Sequence, residues 1–242
     1  MENIVEIFLL TVGASFVLRT TGFGFGVFIM TLLPFFMPSY GEATALSGLL
    51  ALTTSLGAVW KYRKFITWKR LLPILTIFLI LSSIAICVLS GMKDKTLRIV
   101  LGFVLIFAGI YFAFLSKRIR FKTTLPYQIG AGTVSGLMGG FFGMHGPAAV
   151  LYFINSEPDK EHYMGMIQTY LVISNLMMTI VRAFNGFVTP TVGKSYVICL
   201  GAVVIGSLIG AWVFKIIPRK VFPYVVYGYI GVSGMIILLS SL

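Results

Sequence analysis

Arg19, Thr20 and Thr21 stand together in RTTGFGFGVF (19–28), inside an apolar run that opens near residue 4. Arg19 is about 15 residues into that run, roughly 22 Å of helix at 1.5 Å per residue. A charge at the centre of a membrane costs about 2.5–3.5 kcal/mol on insertion, so it calls for a reason. A guanidinium fork beside two hydroxyls, with backbone N–H groups freed around Gly24 and Gly26, suits a planar or tetrahedral oxyanion. A helix restarting after those glycines aims its positive end at the same place. The plainer reading is an arginine snorkelling to the interface at the end of a half-helix.

His145, in GMHGPAAVLY (143–152), is the second candidate and, of 2 histidines, the one at membrane depth. A neutral imidazole can hydrogen-bond an anion, and an ordinary pKa of about 6.5 lets it carry a proton as well. Packing against a neighbouring carbonyl is the alternative. Gly146 and Pro147 fit the first positions of a second half-helix, with Gly143 and Gly146 bringing backbone close to a ligand. Thr53 and Asn175 sit at comparable depth in the two halves and can face a cavity. The same residues, with Thr54, Ser55, Gln168, Thr169 and Ser174, also read as interhelical hydrogen bonds worth under about 1 kcal/mol each. Lys61, Arg63 and Arg182 close these segments and read as interface anchors, or as a funnel for anions.

What is missing narrows the chemistry. All seven acidic residues (Glu2, Glu6, Glu42, Asp94, Glu157, Asp159, Glu161) lie in loops or near segment ends. No carboxylate is left mid-bundle for a cation or an acidic proton relay. No GxSxG, HExxH or Walker loop is present, and the glycine clusters do not follow strands, so an enzyme is not expected. Cys87 and Cys199 are far apart inside apolar runs and read as small hydrophobes. Neither a cofactor nor a metal is called for.

The elements that must hold these residues are membrane helices. The 242 residues are 58% hydrophobic and 11% charged, with a mean hydropathy of +0.98. A soluble domain carries about 25% charged residues. The net charge of +12 sits in short runs between apolar stretches, the pattern of cytoplasmic membrane loops rather than of a nucleic-acid surface. The start, MENIVEIFLL, lacks the basic region of a cleavable signal and is expected to be retained. Eight runs approach the roughly 20 residues a span needs: about 4–37, 43–60, 70–90, 96–115, 126–154, 164–184, 194–215 and 220–241. They are continuous, so a barrel is excluded. The first and fifth are too long for one helix and carry the glycine clusters, which marks them as broken; close packing through small residues is the alternative.

Laying Gly143 on Gly26 superposes FFGMHGPAAVLYF on GFGFGVFIMTLLP, each followed by a polar turn and further apolar runs. The chain therefore divides into two four-segment repeats, 1–121 and 122–242, a plan common among transporters. Orientation has two solutions. If the broken segments span fully, both termini are cytoplasmic; if they turn back, the repeats are inverted and both termini lie outside. Both versions put the basic loops 61–70 and 116–125 inside.

GFGFG (22–26) with PSYGEATALSGLLALTTSL (38–56), and MGGFFGMHGPAAVLY (138–152) with Asn175 and FVTP (187–190), resemble the two halves of the sulfite exporter TauE/SafE family, also described as sulfonate uptake permeases. The resemblance covers nearly the whole chain. It implies a bacterial or archaeal cytoplasmic membrane and transport of a small organosulfur or related anion. Phe25 stands where the family often has a third glycine, and YMGMIQ (163–168) lacks a basic residue found there in some members. The expectation is an all-α secondary transporter, proton-coupled through His145, with its anion held by Arg19, Thr20, Thr21, Gly24, Gly26, Thr53, Gly143, His145, Gly146 and Asn175. A channel-like anion pathway and a non-transporting assembly subunit are the alternatives. The partners are the substrate anion and the lipid bilayer, and the reading admits a homodimer.

Overall fold

The computed structural model describes residues 3–110, 124–157 and 159–216, and all regular structure among them is helical. The helices are α1 (Ile4–Thr21), α2 (Phe25–Ile29), α3 (Leu33–Phe36), α4 (Tyr40–Tyr62), α5 (Trp68–Leu89), α6 (Asp94–Ile110), α7 (Leu125–Phe142), α8 (Gly146–Ser156), α9 (Lys160–Phe184) and α10 (Pro190–Ile216). Four of them contain stretches long and apolar enough to cross a membrane: Tyr40–Phe65, Trp68–Leu89, Glu161–Phe184 and Pro190–Val213. The run expected at 220–241 and the linker SKRIRFK lie outside the described residues.

Polar residues start the two central helices. Ser39 Oγ accepts from the Glu42 N–H at 3.2 Å, opening α4 with the first half of a Ser-x-x-Glu capping box. Asp159 accepts from the N–H groups of Glu161 and His162, at 3.0 and 2.9 Å, and opens α9.

The glycine clusters do break their helices. α1 stops at Gly22, whose φ is +81°, and Gly24 at +90° turns the chain into α2. α7 stops at Gly143, φ +68°, and α8 starts at Gly146. These left-handed turns are open to glycine and costly for side chains with a Cβ. By helix ends the counterpart of Gly143 is Gly22, one turn earlier than the Gly26 that the sequence overlay pairs with it.

Both broken segments turn back on themselves. A Cβ on Gly13 would lie 2.7 Å from the Phe28 ring, so α2 folds against α1. Tyr152 near the end of α8 accepts from Gln128 Nε2 near the start of α7 at 2.8 Å. The long helices confirm the reversal. Gly132, Gly136 and Gly140 of α7 meet residues 74–77, 78–81 and 82–85 of α5 in rising order, so α5 and α7 are parallel. Arg70 donates to Ser156 O just before α9, and Asn185 just after α9 reaches Cys87 near the end of α5, so α9 is parallel to them. In the same way Gly201, Gly206 and Gly210 of α10 meet Phe8, Val12–Ser15 and Phe16–Arg19, while Thr189 and Tyr196 bond Glu42 and Thr53. Thus α1, α4 and α10 run one way. α4 and α9 oppose each other, since Gly41, Gly48 and Gly165 meet Phe187, residues 175–182 and residues 62–65. With α1 parallel to α4, and α7 to α9, each intervening segment must carry the chain back.

Candidate functional site

The two reversed breaks touch. A Cβ on Gly26 would sit 2.1 Å from the Gly143 carbonyl oxygen, and one on Gly146 would be 3.5 Å from Phe23 Cβ. Only glycine at 26 permits the first approach. Around this crossing lies a pocket whose lining includes Gly24, Gly26, Ser55, Gly143, His145, Gly146 and Asn175. It leaves about 20 Å³, room for one water-sized sphere.

Broken helices leave carbonyls that membrane depth does not forgive. α9 supplies donors for both breaks. Gln168 Nε2 donates to Gly22 O at 3.0 Å, closing α1. Arg182 Nη2 donates to Gly139 O at 3.0 Å and Gly140 O at 3.1 Å, closing α7. A cation at the negative end of a helix is also favourable. The positive end of α8 begins at Gly146, on the pocket wall, with Pro147 adding no N–H of its own.

The pocket's side chains keep unused hydrogen-bonding groups. His145 is buried with neither ring nitrogen bonded, its ring 5.3 Å from that of Phe78 and 6.0 Å from that of Tyr170. Its backbone carbonyl accepts from Ser135 Oγ, which is 2.7 Å from Tyr170 Oη, so the loop is held by backbone and the imidazole is left over. Ser55 Oγ is buried and unbonded as well. Asn175 uses Nδ2 on Leu171 O at 2.8 Å. Buried polar groups without partners are rare, and they gather where a ligand or a proton is handled.

A family model for the sulfite exporter TauE/SafE matches residues 7–237. The chain belongs to the TauE/SafE family. No curated protein and no solved structure matches it significantly. Members of the TauE/SafE family are membrane transporters, not enzymes, and the apolar helices of this chain agree with that.

In this TauE/SafE chain Gly24, Gly26, Gly143, His145, Gly146 and Asn175 come together on one pocket. The other residues singled out from the sequence do not join them. Arg19 is exposed, with its Cβ against Gly210 of α10: Leu18 faces the pocket, and the next residue points about 100° further round the helix. Arg19 therefore does not line this pocket. Thr20 Oγ1 donates to Phe16 O and Val17 O, both at 2.9 Å, and is taken up by its own helix. The side chain of Thr21 lies outside the described residues. Thr53 shares a 2.8 Å hydrogen bond with Tyr196 Oη and ties α4 to α10.

The sequence reading missed Arg182 as an interior group. It was taken for an interface anchor, yet it is fully buried. The available signal was spacing: Asn175, Thr179 and Arg182 stand at i, i+4 and i+7 on one face of α9.

Proposed function

We propose that the protein is a secondary transporter of a small sulfur oxyanion, sulfite or a sulfonate, across the cytoplasmic membrane, with its site where the two breaks cross. The observation that carries this is the crossing itself, two reversed glycine breaks from opposite halves enclosing buried, unused donors. Residues 1–121 and 122–242 form two inverted repeats in this reading, supported by the opposed directions of α4 and α9. With the five basic residues of 60–70 on the cytoplasmic side, both termini face outward, and the acidic loop 155–163 lies inside near Arg70.

A sulfonate has several heavy atoms and needs more room than one water. Transport then requires the breaks to part, first toward one side and then the other. A pocket this small favours such alternating access over a continuous conduit. His145, unbonded beside the pocket, is the group that accompanies the anion with a proton.

The test is flux of sulfite and short-chain sulfonates in proteoliposomes, with wild type, Asn175→Ala, His145→Gln and Arg19→Gln compared. Saturable flux that weakens in Asn175→Ala and persists in Arg19→Gln is expected. Flux proportional to concentration without limit would replace the carrier with a channel. If His145→Gln still follows an imposed pH gradient, the proton role is wrong.

A further inference from the structure

Arg182 is the one cationic side chain buried among the described residues, and no carboxylate is buried with it. Neither of the ion pairs seen there, Arg70–Glu157 and His162–Asp159, involves it. Its Nη2 caps α7, but Nε and Nη1 have no hydrogen-bond partner. Capping uses one corner of the fork and explains that corner only. A buried charge left half-bonded is among the most costly groups a fold can hold, and costlier still in a membrane.

A hydroxyl stands near the unused Nη1. Above the Cα of Gly48, the point where a Cβ would sit is 3.5 Å from Thr179 Oγ1, 3.7 Å from Arg182 Nη1 and 3.8 Å from Asn175 Oδ1. Thr179 Oγ1 has no partner, nor does Ser47 Oγ, which faces Gly143. The phenol of Tyr40 is buried and unbonded too, while Asp94 is engaged by the Tyr40 N–H at 2.9 Å. Asn175 belongs both to this group and to the pocket at the crossing. The result is a buried positive charge with an unbonded hydroxyl near it, next to the space between the breaks.

We infer that Arg182, through its unbonded Nη1, and the hydroxyl of Thr179 bind the transported oxyanion, and that the anion crosses as a monoanion. This rests on the transport reading above and names the ligand's charge. One guanidinium neutralises one negative charge; with the His145 imidazole neutral while the anion is bound, a dianion would bring an uncompensated charge into the bundle. Hydrogensulfite and alkyl sulfonates fit, and sulfate does not.

The experiment uses the full-length protein in proteoliposomes, with methanesulfonate, sulfite and sulfate as probes. Arg182→Gln removes the charge, and its shorter amide also gives up the Gly139 and Gly140 carbonyls. Gly48→Ala leaves Arg182 in place and sets a methyl at ordinary contact distance from it, which the fold tolerates and a bound anion does not. Gly48→Ala should melt like wild type and Arg182→Gln below it, and the methanesulfonate KM should rise roughly 10–100-fold in Arg182→Gln, the size of a lost charged hydrogen bond. A clear rise is also expected in Gly48→Ala, and sulfate should not move. A wild-type KM in either folded variant overturns the site, and sulfate carried as well as methanesulfonate overturns the monoanion rule. Should Arg182→Gln fail to fold, Gly48→Ala decides. If wild type carries none of the probes, the transport reading fails, and thermal stabilisation by methanesulfonate becomes the readout. Stabilisation weakened in Gly48→Ala then supports the site, and none in wild type overturns it.

Discussion

Gly26→Ala is the sharpest perturbation of the crossing. The added methyl would lie 2.1 Å from the Gly143 oxygen, 3.1 Å from its carbonyl carbon and 3.5 Å from Met144 Cα. All three are backbone atoms, so no side chain can swing aside. Restoring van der Waals distance means parting the two breaks by more than about 1 Å in a packed interior, and overpacking of that kind costs about 3 kcal/mol or more. For a chain of this size that corresponds to a fall in Tm of roughly 6–12 °C. The control is Gly146→Ala in the opposing break, whose methyl would meet Phe23 Cβ at 3.5 Å and the Gly24 nitrogen at 3.8 Å, both ordinary contacts. Melting in detergent, followed by anion flux in proteoliposomes, reads both variants. Gly26→Ala should melt early and lose flux, and Gly146→Ala should keep its melting temperature. Wild-type melting and flux in Gly26→Ala would refute the contact between the breaks and, with it, the placement of the site.

Gly143→Ala tests backbone conformation without a clash, since its methyl would find nothing nearer than 3.8 Å; the left-handed φ alone should cost about 1–2 kcal/mol, measured by melting. Gln168→Ala removes the donor from Gly22 O and should destabilise by about 1–3 kcal/mol, whereas Gln168→Glu, which also lacks that donor, should not rescue it. The Asp159 carboxyl, which accepts from the His162 and Glu161 N–H groups, is held below its ordinary value of 3.8. Its contribution to stability is therefore present above that value and lost as pH falls through the lower folded one. The Tm difference between wild type and Asp159→Asn should close in acid, and a gap independent of pH would remove the charge from the account.

Much of the fold was legible because its signals are local. The glycine clusters announced the breaks, since a left-handed turn favours the residue without a Cβ. Ser39 and Glu42 announced the start of α4 in the same way. Whether a broken segment continues or returns is not local: it is decided by partners far along the chain, Gly132 against Ile74 or Gly206 against Val12. Arg19 and Arg182 show the same limit for the site. Depth within an apolar run favoured Arg19, but it lies beside α10 and away from the pocket. Arg182 stands at the end of a run, where anchors are expected, yet the carbonyls of Gly139 and Gly140 draw it inside. The one local difference is the polar stripe of Asn175 and Thr179 that leads to Arg182.

The parallel pairings of α1 with α10 and of α5 with α7 bear on how the protein is made. The ribosome completes the first hairpin when all of α10 is still unread. At about 5–20 residues per second, roughly ten to forty seconds pass before Gly206 and Gly210 arrive to cover the face of α1 that carries Val12, Ser15 and Phe16. The second hairpin has no such delay, since α5 is already in place when α7 emerges. Biogenesis is thus lopsided: the early half leaves the translocon with an unpaired face and is the half open to quality-control proteases. A chain truncated before α10 would carry an intact α5–α7 pair and still be recognised as unfinished.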